Sequence, residues 1–185
     1  MAEIGDSIEQ AVLAINHGGT VVYPTEGVFG LGCDFRNEQS VHKILKLKQR
    51  SVDKGLVLIA SHVQQILPLI QPENRSDLAR ALKTWPGHHT WIFPKSKSVP
   101  AWISGEFQTV AVRVSAHPAV KMLCDQLNSA LVSTSANKSN QSTPSTIAEQ
   151  TQLWGDAVDY YLDLPLGGSN QPSSIQLASN GSAIR

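Results

Sequence analysis

The sequence predicts an α/β fold, a single-domain twisted mixed sheet flanked by helices, on three observations. Segments with apolar residues at helical spacing alternate along the chain with short segments at strand spacing. Residues 109–115 alternate strictly, with Val110, Val112 and Val114 on one face and Thr109, Ala111, Arg113 and Ser115 on the other. No internal repeat or long linker divides the 185 residues, a length suited to one continuous core.

The elements follow in order. Residues 7–16 carry Ile8, Ala11, Val12 and Ile15 at helical spacing, Ser7 with Gln10 fits a capping box, and Gly18-Gly19 stops the helix. Residues 20–23 read as a short buried strand. Asn37 can cap a second helix that turns Val41, Ile44 and Leu45 inward, and residues 56–60 form an apolar strand. Helices are expected over 63–67 and 77–85, the second ended by Pro86-Gly87. Strands at 90–93 and 109–115 come next, then a helix over 118–127 with Val120, Leu123, Cys124 and Leu127 on one side. A strand at 130–133, a helix over 146–154 and a strand at 158–162 precede a tail from Pro165 rich in Gly, Ser, Asn and Pro. One strand-like stretch, 174–177, interrupts that tail.

Composition narrows the function. Hydrophobic residues make up 41% of the chain, too many for a disordered one. The formal net charge of +0 argues against a protein that lives by coating nucleic acid. Cys33 and Cys124 are far apart and form no CxxC, so reduced, buried thiols are expected and a zinc or redox motif is not. His88-His89 lacks metal-ligand spacing and reads as loop, and no metal-ligating set is expected. Residues 1–6 show neither the basic start nor the apolar run of a signal peptide, and the apolar runs are far too short to span a bilayer. A cytoplasmic protein without a membrane contact is expected.

Four constellations can carry chemistry. Lys46, Lys48, Arg50 and Lys54 put four cations into nine residues at a helix exit. An anion would relieve their repulsion, and a triphosphate suits a mixture of point charges and planar forks; a solvated helix end is the competing account. Ser133-Thr134-Ser135-Ala136-Asn137 leaves an apolar strand at its carboxyl end, where α/β sheets bind ligands. In residues 23–32 three glycines, Gly27, Gly30 and Gly32, would let backbone approach a ligand closely, although neither G-x-G-x-x-G nor a Walker A sequence occurs. Arg113 lies mid-strand, where a charge is expensive unless it faces a wet cavity or an anion.

Together these segments resemble the TsaC, or YrdC-like, family of threonylcarbamoyl-AMP synthases. The matching stretches are Tyr23-Pro24-Thr25-Glu26, Phe29-Gly30-Leu31-Gly32-Cys33, Leu47-Lys48-Gln49-Arg50, Asp53-Lys54-Gly55-Leu56, Trp85-Pro86-Gly87, Ala111-Val112-Arg113-Val114 and Ser133 to Asn137. Each is modest; their order and spacing are specific, from about residue 7 to 185.

The resemblance implies a YrdC/RibB-like fold around a basic cavity, one YrdC-like domain over residues 1–185. It implies a nucleotidyltransferase that makes threonylcarbamoyl-adenylate and pyrophosphate from L-threonine, bicarbonate and ATP with Mg2+. Partner proteins then transfer the threonylcarbamoyl group to adenine 37 of tRNA. Carried over by motif, Lys48 and Arg50 are the expected catalytic pair. Lys48, Arg50, Lys54, Thr90, Ser135, Asn137, Ser173 and Arg185 are expected around the nucleotide, with Ser174 in the same late segment. Thr25 and Arg113 are expected to contact threonine. Ser51 and Gly55 replace prolines common in the family, which is expected to loosen the loop of cations. Two alternatives remain. The related carbamoyl-adenylate chemistry of hydrogenase-maturation proteins goes with zinc-finger cysteines that this sequence lacks. An RNA-binding module acting in rRNA or tRNA maturation, with weak tRNA or double-stranded RNA contact, is the other.

Overall fold

The longer helices begin where the sequence supplies a side-chain acceptor for an orphan backbone N–H. In the computed structural model, which describes residues 2–169 and 171–184, Ser7 Oγ accepts from Gln10 N at 3.2 Å and opens α1 (Ile8–Asn16). Asn37 Oδ1 accepts from Ser40 N at 3.1 Å and opens α2 (Glu38–Leu47). Thr146 and Glu149 form the reciprocal capping box of α7 (Ile147–Trp154). Between these lie α3 (Val63–Ile66), α4 (Arg75–Leu82), α5 (Ala101–Ser104) and α6 (Pro118–Leu127), with 3-10 turns at Val52–Lys54, Leu67–Leu69 and Gly155–Ala157.

Among the described residues nine strands form one mixed sheet. They are β1 (Glu3–Gly5), β2 (Val21–Pro24), β3 (Phe29–Gly32), β4 (Val57–Ala60), β5 (His89–Pro94), β6 (Thr109–Val114), β7 (Leu131–Ser135), β8 (Tyr160–Leu162) and β9 (Ser174–Leu177), in the order β1-β8-β2-β3-β7-β4-β6-β5-β9. The pairs β1–β8, β2–β8, β4–β6 and β5–β9 are parallel and the others antiparallel. Among the described residues no helix is long and apolar enough to cross a membrane.

Alternation along the strands separates two cores. Val21 and Tyr23 of β2, Ile59 of β4, and Tyr160 and Leu162 of β8 pack against the apolar stripes of α1 and α6. Val22, Leu58, Ala60 and Tyr161, one residue out of phase, face the larger core with Ile44, Phe93, Trp91 and Trp154. Cys33 and Cys124 are free and buried; burial pushes both thiols up, that of Cys124 to about 12, so neither is a ready nucleophile.

Three elements depart from the sequence expectation. β1 is an edge strand of three residues with no apolar alternation of its own; its register comes from the parallel ladder to β8. α5 is a single turn, too short to show a period. The third is β3, for which the sequence predicts no element: Gly30 and Gly32 lie inside a strand antiparallel to β2. Neighbours leave no space for side chains here: a Cβ on Gly30 would sit 3.0 Å from Tyr23 Cζ, and one on Gly32 2.2 Å from Val132 O and 2.8 Å from Tyr23 Cε1. Gly30 makes room for a buried tyrosine, and Gly32 for that ring and the backbone of β7.

Candidate functional site

Residues paired across strands share a face, so the face of Ile59 can be followed along the sheet. Ile59 pairs with Arg113 and Leu131; two residues back along β4, Val57 pairs with Ala111 and Ser133. α1 and α6 cover this face at Ile59 but do not reach Val57. Beyond their cover it lines a cavity of about 190 Å³, walled by Thr25, Gly30, Arg50, Val57, His88, Thr90, Arg113, Ser133, Ser135 and Ser173 among others.

At one side Arg113, buried to 6% exposure, is held on three edges. Its Nη2 donates to Glu26 Oε2 and, at 3.1 Å, to His88 Nδ1, while Nε donates to Gly87 O at 3.2 Å. Nη1 has no protein acceptor among the described residues. Burial lowers the guanidinium pKa and Glu26 opposes that shift, so Arg113 stays charged. Glu26 is itself fixed: Ser115 Oγ and Ala116 N each donate to its Oε1 at 2.9 Å. A cation in a cavity with one edge unpaired can take a carboxylate.

The cations of the helix exit divide into separate roles. Arg50 lines the cavity; its Nη2 donates to Lys54 O at 3.2 Å and Gly55 O at 2.9 Å. Its Nε is buried without a partner, the one such side-chain atom among the described residues. An orphaned buried donor costs about 1–3 kcal/mol, which an incoming anion would recover. Lys54 lies on an adjacent apolar cavity of about 370 Å³ that shares Arg50, Leu56, Val57 and Ile175 with the first.

Lys48 does not line either cavity. It is 3% exposed, and its Nζ donates to Ser135 O, to Asn137 O at 2.6 Å and to Asn137 Oδ1 at 3.2 Å. All three N–H bonds are taken in a clamp between the end of α2 and the turn after β7. Burial, then Arg50, holds its pKa at about 8.

The other residues singled out in the sequence gather around the same space. Ser135 Oγ donates to Asn137 Oδ1 at 2.6 Å, which ties the turn that Lys48 clamps. Thr90 Oγ1 and Ser173 Oγ are 2.9 Å apart across the cavity wall, and Ser174 Oγ meets His89 Nδ1 at 2.9 Å. Thr25 Oγ1 donates to Val28 O at 2.6 Å, closing the β2–β3 turn. Arg185 lies outside the described residues. Glu26 and His88 were missed as site residues. Glu26 has no partner visible along the chain, and His88-His89 carries no metal-ligand spacing, so neither residue announces itself in the sequence.

The loop of cations is also better tied than its sequence suggested. Ser51 Oγ donates to Asp53 Oδ2 at 2.6 Å and accepts from Asp53 N at 3.3 Å. Gly55 N donates to Val52 O at 3.1 Å, and Gly55 takes φ +62°, where glycine is favoured.

This arrangement has relatives. The Sua5/YciO/YrdC family model, described as telomere recombination, matches residues 13–184. The chain belongs to this family. A threonylcarbamoyl-AMP synthase of Pseudoalteromonas translucida is 43% identical over 184 residues, covering 97% of each chain. One of Coxiella burnetii is 41% identical over 185 residues, covering 100% of each. Among solved structures, P. abyssi Sua5 complexed with L-threonine superposes with a TM-score of 0.89 at 25% identity, covering 99% of this chain and 56% of that one. E. coli YciO, at 22% identity and a TM-score of 0.83, covers 100% of this chain and 92% of its own, and shares the fold. The single-sheet α/β architecture is thus the family's own.

Proposed function

We propose that the chain is a threonylcarbamoyl-AMP synthase that condenses L-threonine, bicarbonate and ATP to threonylcarbamoyl-adenylate, pyrophosphate and water, the first step toward N6-threonylcarbamoyladenosine at tRNA position 37. The observation that carries this reading is that Arg113 and Arg50, one with an unpaired edge and one with an orphaned Nε, line the same cavity. Two fixed cations in one enclosure suit two anionic substrates that must meet.

The chemistry asks little proton transfer of the protein. The neutral amine of threonine attacks carbon dioxide derived from bicarbonate, and the resulting carbamate oxygen attacks the α-phosphorus as pyrophosphate leaves. The carbamate is already an oxyanion, so this second step calls for positioning and charge neutralisation rather than a strong base. Arg113 holds the threonine carboxylate while Thr25 lines the same side. Arg50 and Lys54 neutralise the triphosphate. Lys48 acts through the Ser135–Asn137 turn, which it holds in place for the nucleotide; Thr90 and Ser173 close the facing wall.

Among the described residues no group of three or more His, Cys, Asp or Glu side chains is placed to hold a metal ion. Mg2+ would be held chiefly by the phosphates of ATP and its own waters rather than by a protein cage. As a nucleotidyltransferase the chain would act in the cytoplasm and pass its product to the proteins that modify tRNA.

Incubation of the pure protein with ATP, threonine, bicarbonate and Mg2+ should yield threonylcarbamoyl-adenylate by mass spectrometry, with pyrophosphate release that requires threonine. Threonine-independent release, or none, would overturn the assignment.

A further inference from the structure

His88 stands between two parts of the site that the reaction has to bring together. On one side its Nδ1 lies 3.1 Å from Arg113 Nη2; on the other its Nε2 lies 2.7 Å from Gln171 O. A guanidinium nitrogen only donates and a carbonyl oxygen only accepts. Nδ1 is therefore the acceptor, and the ring proton sits on Nε2, where it donates to Gln171 O. One neutral tautomer satisfies both bonds at once.

The fold leaves room for this bridge. At Gly27 a Cβ would fall 1.9 Å from Gln171 O and 2.9 Å from His88 Cε1, so any side chain there would push the two apart. The residue before His88 adds a second hold on the same guanidinium, since Gly87 O accepts from Arg113 Nε. Immediately beyond Gln171, Pro172 and Ser173 line the cavity.

We propose that His88 is a positioning residue with two tasks: it fixes the plane of Arg113 so that Nη1 faces the amino-acid carboxylate, and it latches the wall segment 171–173 to that same arginine. The amino-acid half rests on the function proposed above; the latch does not. One imidazole thereby couples the amino-acid contact to the wall of the cavity. Loss of the ring removes one of three holds on the guanidinium and the tie to the wall, whereas an asparagine can return an oxygen acceptor near the position of Nδ1 but cannot reach Gln171.

The test compares wild type, His88→Ala and His88→Asn in threonine-dependent pyrophosphate release and in hydrogen–deuterium exchange without substrates. His88→Ala should raise the threonine KM about tenfold while the ATP KM moves less than about twofold. His88→Asn should bring the threonine KM back to within about threefold of wild type. Exchange at residues 171–174 should rise in both variants, while β4 and β6 stay protected. Unchanged threonine KM in His88→Ala overturns the positioning role, as does an asparagine variant no better than alanine. Unchanged exchange at 171–174 overturns the latch. A wild-type protein with no threonine-dependent activity removes the amino-acid half together with the proposed function, and the exchange result still decides the latch.

Discussion

Glu26 and Arg113 form a buried ion pair, with side chains 14% and 7% exposed. Four bonds from Arg113, Ser115 and Ala116 reach the two carboxylate oxygens, so this acid is fully engaged with the arginine it restrains. Removing one partner of a buried pair costs about 3–5 kcal/mol, because the other charge is left uncompensated. Glu26→Gln keeps the shape, loses the charge and must turn its amide N–H₂ toward either Arg113 Nη2 or Ala116 N, which only donate. Calorimetry should show a clear fall in Tm, and threonine binding should weaken with it. An unchanged Tm would mean that the pair contributes nothing to the fold.

Arg113→Ala removes the cation on the amino-acid side while leaving Arg50 in place. The threonine KM should rise at least about tenfold, the scale of a lost charge-assisted hydrogen bond of 1.5–3 kcal/mol, with a smaller change for ATP. Steady-state pyrophosphate release at varied threonine and varied ATP measures both. Equal effects on the two substrates would show that Arg113 does not hold the carboxylate.

Lys48 and Arg50 lie two residues apart and should fail in different ways. Lys48→Met removes three bonds; Ser135 O still accepts from Asn137 N and Asn137 Oδ1 from Ser135 Oγ, but Asn137 O loses its donor, at about 1–3 kcal/mol for an unsatisfied group. Its Tm should drop by several degrees, since a chain of this size loses about 2–4 °C per kcal/mol. Arg50→Ala also removes an orphaned Nε, so its Tm should fall less. Its kcat/KM for ATP should fall by the equivalent of about 2–4 kcal/mol, the usual scale for one preorganised electrostatic partner. If Lys48→Met lost activity at an unchanged Tm, Lys48 would contact the nucleotide after all.

The contrast between these two lysine and arginine neighbours shows how far the sequence could be read. Helix caps at Ser7 and Asn37 were legible because capping is local, set by a side chain and an N–H three residues away. The alternation of β6 was legible because its period belongs to the strand itself. The site motifs were legible as a set. What could not be read was which cation faces the cavity, because Lys48 turns toward carbonyls of residues nearly ninety positions later. Glu26 meets Arg113 at a similar separation, and no spacing rule along one chain announces such a pair. The crowding at the glycines of β3 was not legible for the same reason: Tyr23 and Val132 O, which press on them, belong to the neighbouring strands.

Asp159 gives the fold an acid-sensitive joint away from the cavity. It accepts from Thr20 N at 2.7 Å, from Thr20 Oγ1 at 2.9 Å and from Lys43 Nζ at 2.6 Å, joining the starts of β2 and β8 to α2. Burial works against the charged form, but Lys43 and the two Thr20 donors outweigh it and hold the carboxyl below the usual value of 3.8. A lowered pKa means that the folded state binds this proton less readily than the unfolded chain. The stabilisation is therefore full above about 3.8 and is lost as pH falls through the lower, folded value. Asp159→Asn should be less stable than wild type at neutral pH, and the gap should shrink in urea unfolding below pH 4. A gap that stays constant with pH would show that the charge is not what matters.

Gly55 provides a test of the loop that carries Arg50. The family resemblance places a common proline here, and a proline would usually stiffen a loop by restricting the unfolded chain. That gain requires a native φ near −65° and no need for the N–H. Gly55 meets neither condition, since its φ is +62° and its N–H donates to Val52 O. A Cβ here would also lie 3.3 Å from Ser104 O. Gly55→Pro should thus destabilise by more than about 1 kcal/mol, the reverse of the usual loop-proline effect. Because Gly55 O accepts from Arg50 Nη2, the ATP KM should rise as well. Thermal unfolding and ATP titration of the single variant read both effects. A Gly55→Pro protein that melts at or above the wild-type temperature would show that the loop can adopt a proline geometry without loss, and that the positive φ is not required to hold Arg50.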